Sequence, residues 1–435
     1  MDPVDAIDPT RQASAVDPSR RADAVDAGSP TSHGASRLRR LRLPMLFFTD
    51  PDLPLRQGRY RSALRDERVA AWLGVALGVL FGICFLTGLY SHVQQHPLSW
   101  FPVPARPAGL YRITQGVHVA SGIASLPVLV AKLWVVWPRF VAFPPFRKVA
   151  DLVERLGLVA LVGGGVFMVF SGVANTAQWY PWRFSFTASH YWVAWITIGA
   201  IVAHLGAKWT ITRRAVRRRS RRPALVDADP AIGASAEGDH DGLSRRGFLA
   251  AVGAASGALT LATAGETIPV LAPLALLAPR DPRTQPINRS AANAGVVQRA
   301  QSPDYRLTVS GRVAHPLSLD LDQVRSLPRS SAALPIACVE GWSYSARWEG
   351  VRLRDLLALA GAPRHAAVRV GSLETNSPYR TSFVDHFQAQ DRDTLLATHL
   401  DGKPLSLDHG YPVRLIGPGR AGVNQTKWVT EVVVL

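Results

Sequence analysis

Apolar residues in this chain follow two rhythms. Upstream they come in four long runs, Val69 to Tyr90, Gly116 to Trp137, Leu152 to Ala174 and Ala188 to Ala207. Each approaches the ~20 residues with which a helix rising ~1.5 Å per residue crosses ~30 Å of hydrocarbon. Runs of that length predict helices, because an open backbone would leave its polar groups unpaired in lipid. From about Pro286 the rhythm shortens to strand-like segments bounded by turn residues: Tyr305 to Ser310, Ala332 to Cys338, Ala367 to Val370, Pro412 to Ile416 and Trp428 to Leu435, with Asp401-Gly402 as a tight turn. Asp320 caps a predicted helix through Arg325, and Val351 to Ala360 reads as a helix stopped by Gly361. The pattern predicts a multidomain protein: an all-α transmembrane four-helix bundle over 44–222, then a soluble α+β domain over 286–435.

The remaining segments keep neither rhythm. Residues 1–43, with near-repeats DAIDP, SAVDP and DAVDA, hold too few large apolar side chains to offset chain entropy and read as a disordered tail. Asp2, Pro3 and Asp5 stand where a secretory signal needs a basic start and an apolar stretch. Residues 223–243 are polar and rich in Ala, Asp and Gly, a linker. Within 244–285, SRRGFLAAVGAASGALTLATAG from Ser244 to Gly265 spans once more, with small, weakly hydrophobic residues behind paired arginines. That pattern suits a twin-arginine export signal and equally an ordinary fifth helix with cytoplasmic arginines.

A net charge of +17 would ordinarily raise nucleic-acid binding, but the placement of the charges excludes it. Arg56, Arg59, Arg61, Arg65 and Arg68 precede the first run; Arg139, Arg147 and Lys148 separate the second from the third; Arg213 to Arg222 follow the fourth. The other two loops carry little beyond Arg106, Arg112 and Arg183. This alternation is the positive-inside signature of four spans with both ends cytoplasmic. The expectation is a multi-pass protein of the cell membrane, its N-terminus cytoplasmic, its C-terminal domain extracytoplasmic, and lipid its partner. With Cys84 and Cys338 the two cysteines of the chain, a disulfide framework and a four-cysteine zinc site are both excluded.

Ionisable residues inside a spanning helix are costly and mark function. His118 lies near the outer end of the second run, His190 near the outer end of the fourth, and His204 toward its inner end. Fourteen positions separate His190 from His204. At ~100° per residue that keeps them within ~40° of one face but ~21 Å apart in depth. Two neutral imidazoles at matched depth on facing helices can hold a haem iron from both sides, a condition that His118 and His190 meet. His92 is an alternative outer ligand, Arg112 and Arg183 are candidates to pair with haem propionates, and polar contact between helices is the alternative for each histidine. The arrangement resembles the four-helix b-type cytochrome subunits of respiratory enzymes, where two histidines fourteen apart on the fourth helix ligate two stacked haems. The resemblance implies haem b and the quinone pool. No histidine stands at the inner end of Val69 to Tyr90, where that family has the inner haem's second ligand. One outer haem is therefore expected; His204 is the candidate ligand of a second, which the missing partner leaves open.

The segment LPIACVEGWSYSARWEGVRLRDLLALAG, Leu334 to Gly361, places Cys338 at the end of an apolar strand, before a Gly-Trp turn. A lone cysteine there is equally well a small hydrophobe. The whole stretch, however, closely resembles the molybdenum-binding core of the sulfite-oxidase-like molybdopterin oxidoreductases. The resemblance covers about Asn288 to Leu435. It implies that Cys338 ligates molybdenum, a role suited to a soft, anionic thiolate. It makes Asn288 in INRSA an early pterin contact and Thr375 in SLETN a second. In GYPVRLIGPGRAGVNQTKW it makes Arg414 and the Gly422, Val423 and Asn424 backbone the cradle of the cofactor phosphate, which a guanidinium fork and exposed amides suit. Two positions depart from the family's periplasmic reductases: His409 replaces an asparagine and Asn424 a lysine, so Lys427 becomes a candidate for the missing charge.

A molybdopterin protein acquires its cofactor in the cytoplasm and crosses folded, so the resemblance favours reading Arg245-Arg246 as a twin-arginine signal, recognised by that export machinery and retained as an anchor. The expected protein is an enzyme that exchanges electrons between a quinone and haem membrane module and an extracytoplasmic molybdenum site, acting on a small sulfoxide- or sulfite-like redox substrate. Two rival readings are a membrane receptor or scaffold with a non-redox outer binding domain, and an electron-transfer cytochrome with a degenerate outer domain.

Overall fold

The computed structural model describes residue 62 and residues 64–98, 101–140, 149–217, 243–264, 268–281 and 284–435. The tail 1–43, Arg56 to Arg61, the loop with Arg147 and Lys148, and most of the linker 223–243 lie outside the described residues.

The four apolar runs form helices α1 (Glu67–Gln95), α2 (Leu110–Phe140), α3 (Val149–Thr176) and α4 (Phe186–Arg217), each long and apolar enough to cross a membrane. At 28 to 32 residues they outrun the apolar runs by a turn or more, because helical hydrogen bonding continues past the hydrocarbon wherever no residue breaks it. Large apolar side chains point outward: Leu86, Leu156, Trp192 and Val202 are 61–68% exposed. Ser91, Gln115, Ser121, Ser171 and Thr197 are buried between the helices. Lipid, unlike water, permits that inversion. α1 packs along α2, α3 along α4, and α4 returns to α1.

Helix α5 (Arg245–Ala264) lies along α2, with Phe248, Leu249 and Val252 on a cluster of Val69, Leu73, Val128, Ala131 and Val135. Arg245 pairs with Asp66 at 3.2 Å, so α5 begins level with the start of α1. A 3₁₀ turn, Pro269–Leu274, follows it.

The C-terminal domain holds two sheets. One runs β2 (Leu317–Leu319), β1 (Leu307–Gly311), β10 (Val429–Val434), β5 (Val368–Ser372), β6 (Thr381–Val384), with β1 and β10 parallel. The other runs β3 (Arg329–Ala337), β4 (Ser343–Arg352), β7 (Leu395–Leu400), β8 (Lys403–Pro404), with β9 (Arg414–Ile416) also on β7. Short helices α6 (Val297–Gln301), α7 (Leu321–Ser326), α8 (Leu353–Leu359) and α9 (His386–Gln390) fill the connections. The predicted strands appear with ends shifted by a few residues. Asp320 and Gln323 close a capping box on α7, and Gly361, at φ 65°, ends α8. The helix expected from Val351 starts instead at Leu353, because Val351 and Arg352 pair with both β3 and β7 or β7 alone as the last residues of β4.

The domain rests on one end of the bundle, where α1 and α3 finish and α2 and α4 begin. Asn424 Nδ2 donates to the Gln94 carbonyl at 2.6 Å, Arg112 to Ser345 Oγ at 3.0 Å, and Gly419 N–H to the Ala108 carbonyl at 3.1 Å. Arg106 in the α1–α2 loop forks onto Asp391 at 3.1 Å and also meets Asp393.

Candidate functional site

Cys338 occupies the tip of the β3–β4 hairpin, whose register brings Ala337 opposite Ser343. The loop is tight: Cys338 N–H donates to the Trp342 carbonyl at 2.9 Å and Gly341 N–H to the Cys338 carbonyl at 3.1 Å. Gly341 takes φ 99°, and a Cβ there would stand 3.3 Å from the Val119 side chain of α2, so the turn demands glycine on two counts. The thiol is 4% exposed, and Asn288 Nδ2 donates to Sγ at 2.9 Å. Trp342 Nε1 fixes that amide by donating to Asn288 Oδ1 at 3.1 Å. Burial pushes the thiol up to about 12; the Glu340 charge adds to the rise, and the Glu340 amide, Asn288 and the Val339 amide oppose it. Three donors thus already face a sulfur whose thiolate still needs a cation.

Cys338 opens into a cavity of about 550 Å³, within the ~300–1,000 Å³ of small-molecule sites. Domain and bundle both wall it: Asn288, Arg289, Trp342, Arg414, Gly422, Val423, Gln425 and Lys427 on one side, Asn175, Tyr180 and Phe184 to Thr187 on the other. Two cations dominate its floor. Arg414, 3% exposed, comes from the all-buried strand β9, and its guanidinium donates to the His409 carbonyl at 3.1 Å. Lys427 Nζ donates to the carbonyls of Asp408 at 2.7 Å and Arg289 at 2.9 Å. Gly410, at φ 110°, lets both approach: its own Cβ would lie 3.1 Å from that of Arg414 and 3.3 Å from that of Lys427. Burial pushes Arg414 down to about 10. Burial, then the neighbouring Arg414, pushes Lys427 down to about 7, against the pull of Asp408, Glu374 and Cys338.

Among the described residues no carboxylate pairs with either cation. Arg414 Nε, Gln285 Oε1 and Gln425 Oε1 are buried there without a hydrogen-bond partner. The unpartnered Arg414 N–H beside the half-buried Lys427 ammonium suits an anion, and the two glutamine oxygens suit donor groups of the same ligand. The donor set therefore fits a group with a phosphate at one end and a thiophilic metal at the other.

The other residues singled out from the sequence are spread around this cavity. Thr375 lies outside its wall, exposed, with its carbonyl accepting from Arg380 at 3.2 Å. His409 is one layer behind, bonded to Ser406 Oγ at 2.8 Å and supporting Arg414 through its carbonyl. Asn424 is also outside the wall; its amide satisfies the last carbonyls of α1, which every helix end leaves open. Arg289, ion-paired with Glu374, and Tyr180 from the α3–α4 loop join the wall without any sequence signal of their own. Arg420, buried on the carbonyls of Asn424 and Phe383, holds the loop that carries Gly422 and Val423.

Between the helices, His118 and His190 face each other with ring centres 6.2 Å apart. Two imidazole–metal bonds of ~2 Å on one ion put ring centres ~6 Å apart, so the spacing fits a shared metal. His118 Nδ1 donates to the Cys84 carbonyl at 2.9 Å. His190 Nδ1 lies 2.8 Å from Ser171 Oγ, whose own proton goes to the Phe167 carbonyl at 2.7 Å. Both rings thus carry the proton on Nδ1 and leave Nε2 as a lone pair, the tautomer a metal needs. Glycines flank them: a Cβ at Gly88 would be 3.0 Å from His118 Cε1, and one at Gly172 3.7 Å from His190 Cε1. His204 lies fourteen residues further along α4 and does not join the pair. His92 instead stacks on Tyr191 at 3.7 Å and on His96 at 4.4 Å. Arg112 is turned to Ser345, and Arg183 is exposed.

Residues 294–435 match the family model described as the oxidoreductase molybdopterin binding domain. The mitochondrial sulfite oxidase of Drosophila melanogaster is 33% identical over 156 residues, 30% of this chain and 27% of that protein. "Putative protein-methionine-sulfoxide reductase subunit YedZ1" of Azospira oryzae is 30% identical over 138 residues, 32% of this chain and 52% of that protein. "Uncharacterized oxidoreductase YuiH" of Bacillus subtilis is 34% identical over 133 residues, 29% of this chain and 64% of that protein. The chain thus spans between about a quarter and two thirds of the length of these relatives. The C-terminal domain is a molybdopterin-binding oxidoreductase domain of the sulfite-oxidase kind, following four helices suited to a membrane.

Proposed function

We propose that the chain is a membrane-bound molybdopterin-dependent oxidoreductase that exchanges electrons between the quinone pool and a small substrate of sulfoxide or sulfite type. The C-terminal domain faces the extracytoplasmic side, carried there by the twin-arginine machinery that recognises Arg245-Arg246, with α5 retained as an anchor. Cys338 would hold the molybdenum; Arg414, Lys427 and the amides of Gly422 and Val423 would hold the phosphate end of its cofactor; His118 and His190 would hold one haem b. Bound there, the molybdenum cofactor supplies oxygen-atom transfer coupled to two electrons, and the haem supplies one-electron exchange.

The chain's own part is positional and electrostatic. Asn288, locked by Trp342, donates to the sulfur and favours its anionic form. Arg414, already buried, and Lys427, half-buried, meet an anion with less water to shed than surface cations. Tyr180 and Phe184 to Thr187 line the cavity from the membrane side. The observation that carries the reading is the buried Arg414 beside the half-buried Lys427, without carboxylate partners among the described residues, in the cavity into which Cys338 opens. The test is to purify the chain from membranes, assay molybdenum and record a reduced-minus-oxidised spectrum. The expected result is one molybdenum and a b-type band. Absence of both favours a receptor or scaffold; a band without molybdenum favours a cytochrome with a degenerate outer domain.

A further inference from the structure

The hairpin loop that carries Cys338 is held by the same two helices that present the histidine pair or its support. The Val339 carbonyl, one residue from Cys338, accepts from Asn175 Nδ2 of α3 at 2.9 Å and from Gln115 Nε2 of α2 at 3.4 Å. Both amides are fixed from behind: Tyr180 Oη donates to Asn175 Oδ1 at 3.2 Å, and Ser91 Oγ to Gln115 Oε1 at 3.0 Å. Neither amide is free to flip, because its oxygen is already committed. Glu340, next along, accepts from Gln178 just past the end of α3 and lies 3.8 Å from Arg280. Gly341 seats against Val119.

Each amide leads to one histidine. Gln115 is three residues, about one helical turn, before His118 on α2. Asn175 is four residues after Ser171, whose Oγ is 2.8 Å from His190 Nδ1. Two short routes, one through each helix, therefore diverge from a single carbonyl and reach opposite sides of the same histidine pair. A loop that served domain docking alone would not need both anchors on the residue beside the metal-ligating position. Docking is already provided at a different loop by Arg106 on Asp391.

We infer that Gln115 and Asn175 are positioning residues that clamp the Cys338 loop, through the Val339 carbonyl, to the two histidines, and so set the rate at which single electrons pass between the two centres. The inference rests on the reading of molybdenum at Cys338 and haem between His118 and His190. The step moves one electron from the reduced haem to the oxidised molybdenum centre, or the reverse, and breaks no bond.

The experiment uses the full chain in detergent, with Asn175→Asp, Gln115→Glu and the double variant, which remove the donors at almost constant volume. Molybdenum content and the reduced-minus-oxidised spectrum are measured first; wild-type protein lacking either centre would overturn the underlying reading. The haem is then reduced by a flash of photoexcited flavin and its reoxidation followed, which requires no substrate. Each single variant should slow reoxidation about tenfold with both centres retained. The double variant should fall short of the product of the two, since both donors act on one oxygen. Arg106→Gln, which loosens docking at a distance, should leave the rate within about twofold. Unchanged rates in the double variant, or equal slowing by Arg106→Gln, would overturn the clamp while leaving the two cofactor assignments standing.

Discussion

The two polar sites of this molecule are completed in opposite ways. Between the helices the imidazole N–H groups have found acceptors in Cys84 and Ser171, and what is left over is a pair of neutral lone pairs 6.2 Å apart by ring centre. In the C-terminal cavity the buried Arg414 and the half-buried Lys427 meet backbone carbonyls and the Trp348 and Trp428 rings, with no carboxylate paired to either among the described residues. Hydrocarbon forbids the second solution, because a net charge there is far more costly than a polar contact. A walled cavity in a folded domain tolerates it, provided an anion completes the site. The difference separates a pair of neutral nitrogen donors from a cavity that favours an anion.

The largest effect that tests this contrast is expected from Cys338→Ser. A hard hydroxyl replaces a soft thiolate of similar size, so molybdenum should be lost altogether while the b-type spectrum stays. Metal analysis at wild-type level would refute the ligand. The mirror experiment is His118→Ala or His190→Ala: the b-type band should vanish with molybdenum retained, and His204→Ala should keep most of the band. If both outer variants keep full absorbance, the pair is not the ligand set.

Arg414→Met separates binding from stability. Removing a buried cation that has no carboxylate partner among the described residues should raise the stability of the cofactor-free protein by about 1–3 kcal/mol, yet cut molybdenum per chain about tenfold. Chemical denaturation alongside metal analysis reads both; a change of the same sign in the two would count against an anion-seeking role.

Lys427 gives a smaller, pH-dependent effect. Its ammonium ordinarily titrates near 10.5 and is pushed by burial to about 7, so between those values the unfolded chain binds more protons than the folded one. Stability of the cofactor-free protein should therefore rise as pH increases from 7. The Cys338 thiol, raised from 9.0 to about 12, acts in the other sense and only from about pH 9 upward. Denaturation midpoints between pH 7 and 9 should climb in wild type and climb less in Lys427→Met; parallel slopes would remove Lys427 from the account. Smallest of all should be Asn424→Ala, which loses the amide contacts to the last α1 carbonyls and about 1 kcal/mol with molybdenum content unchanged. A large fall in molybdenum would return Asn424 to the cofactor site.

Long periodic features were legible in the sequence, and short or distributed ones were not. The four apolar runs, the Asp320 cap and the Asp401-Gly402 turn are local signals, each set by neighbours within a turn or a hairpin. β4 was read in part as helix because VRLRDLLALAG carries helical spacing; cross-strand pairing of Val351 and Arg352 with β7 outweighs that local preference. β7, LLATHL, has no alternation to detect because four of its six residues are buried. Arg289 and Tyr180 gave no signal, since nothing near them in sequence marks a cavity wall.

The sequence alone determined which segments suit lipid, where the histidines and Cys338 stand, and which residues carry charge, because hydropathy and residue chemistry are properties of the chain itself. Tertiary structure decided that Asn424 caps α1 while Lys427 enters the cavity, that the α3–α4 loop walls that cavity, and that Val339 sits between the Cys338 loop and the histidine helices. Those relations join residues more than a hundred positions apart, and only the packing of one domain against the end of another brings their atoms within hydrogen-bond reach.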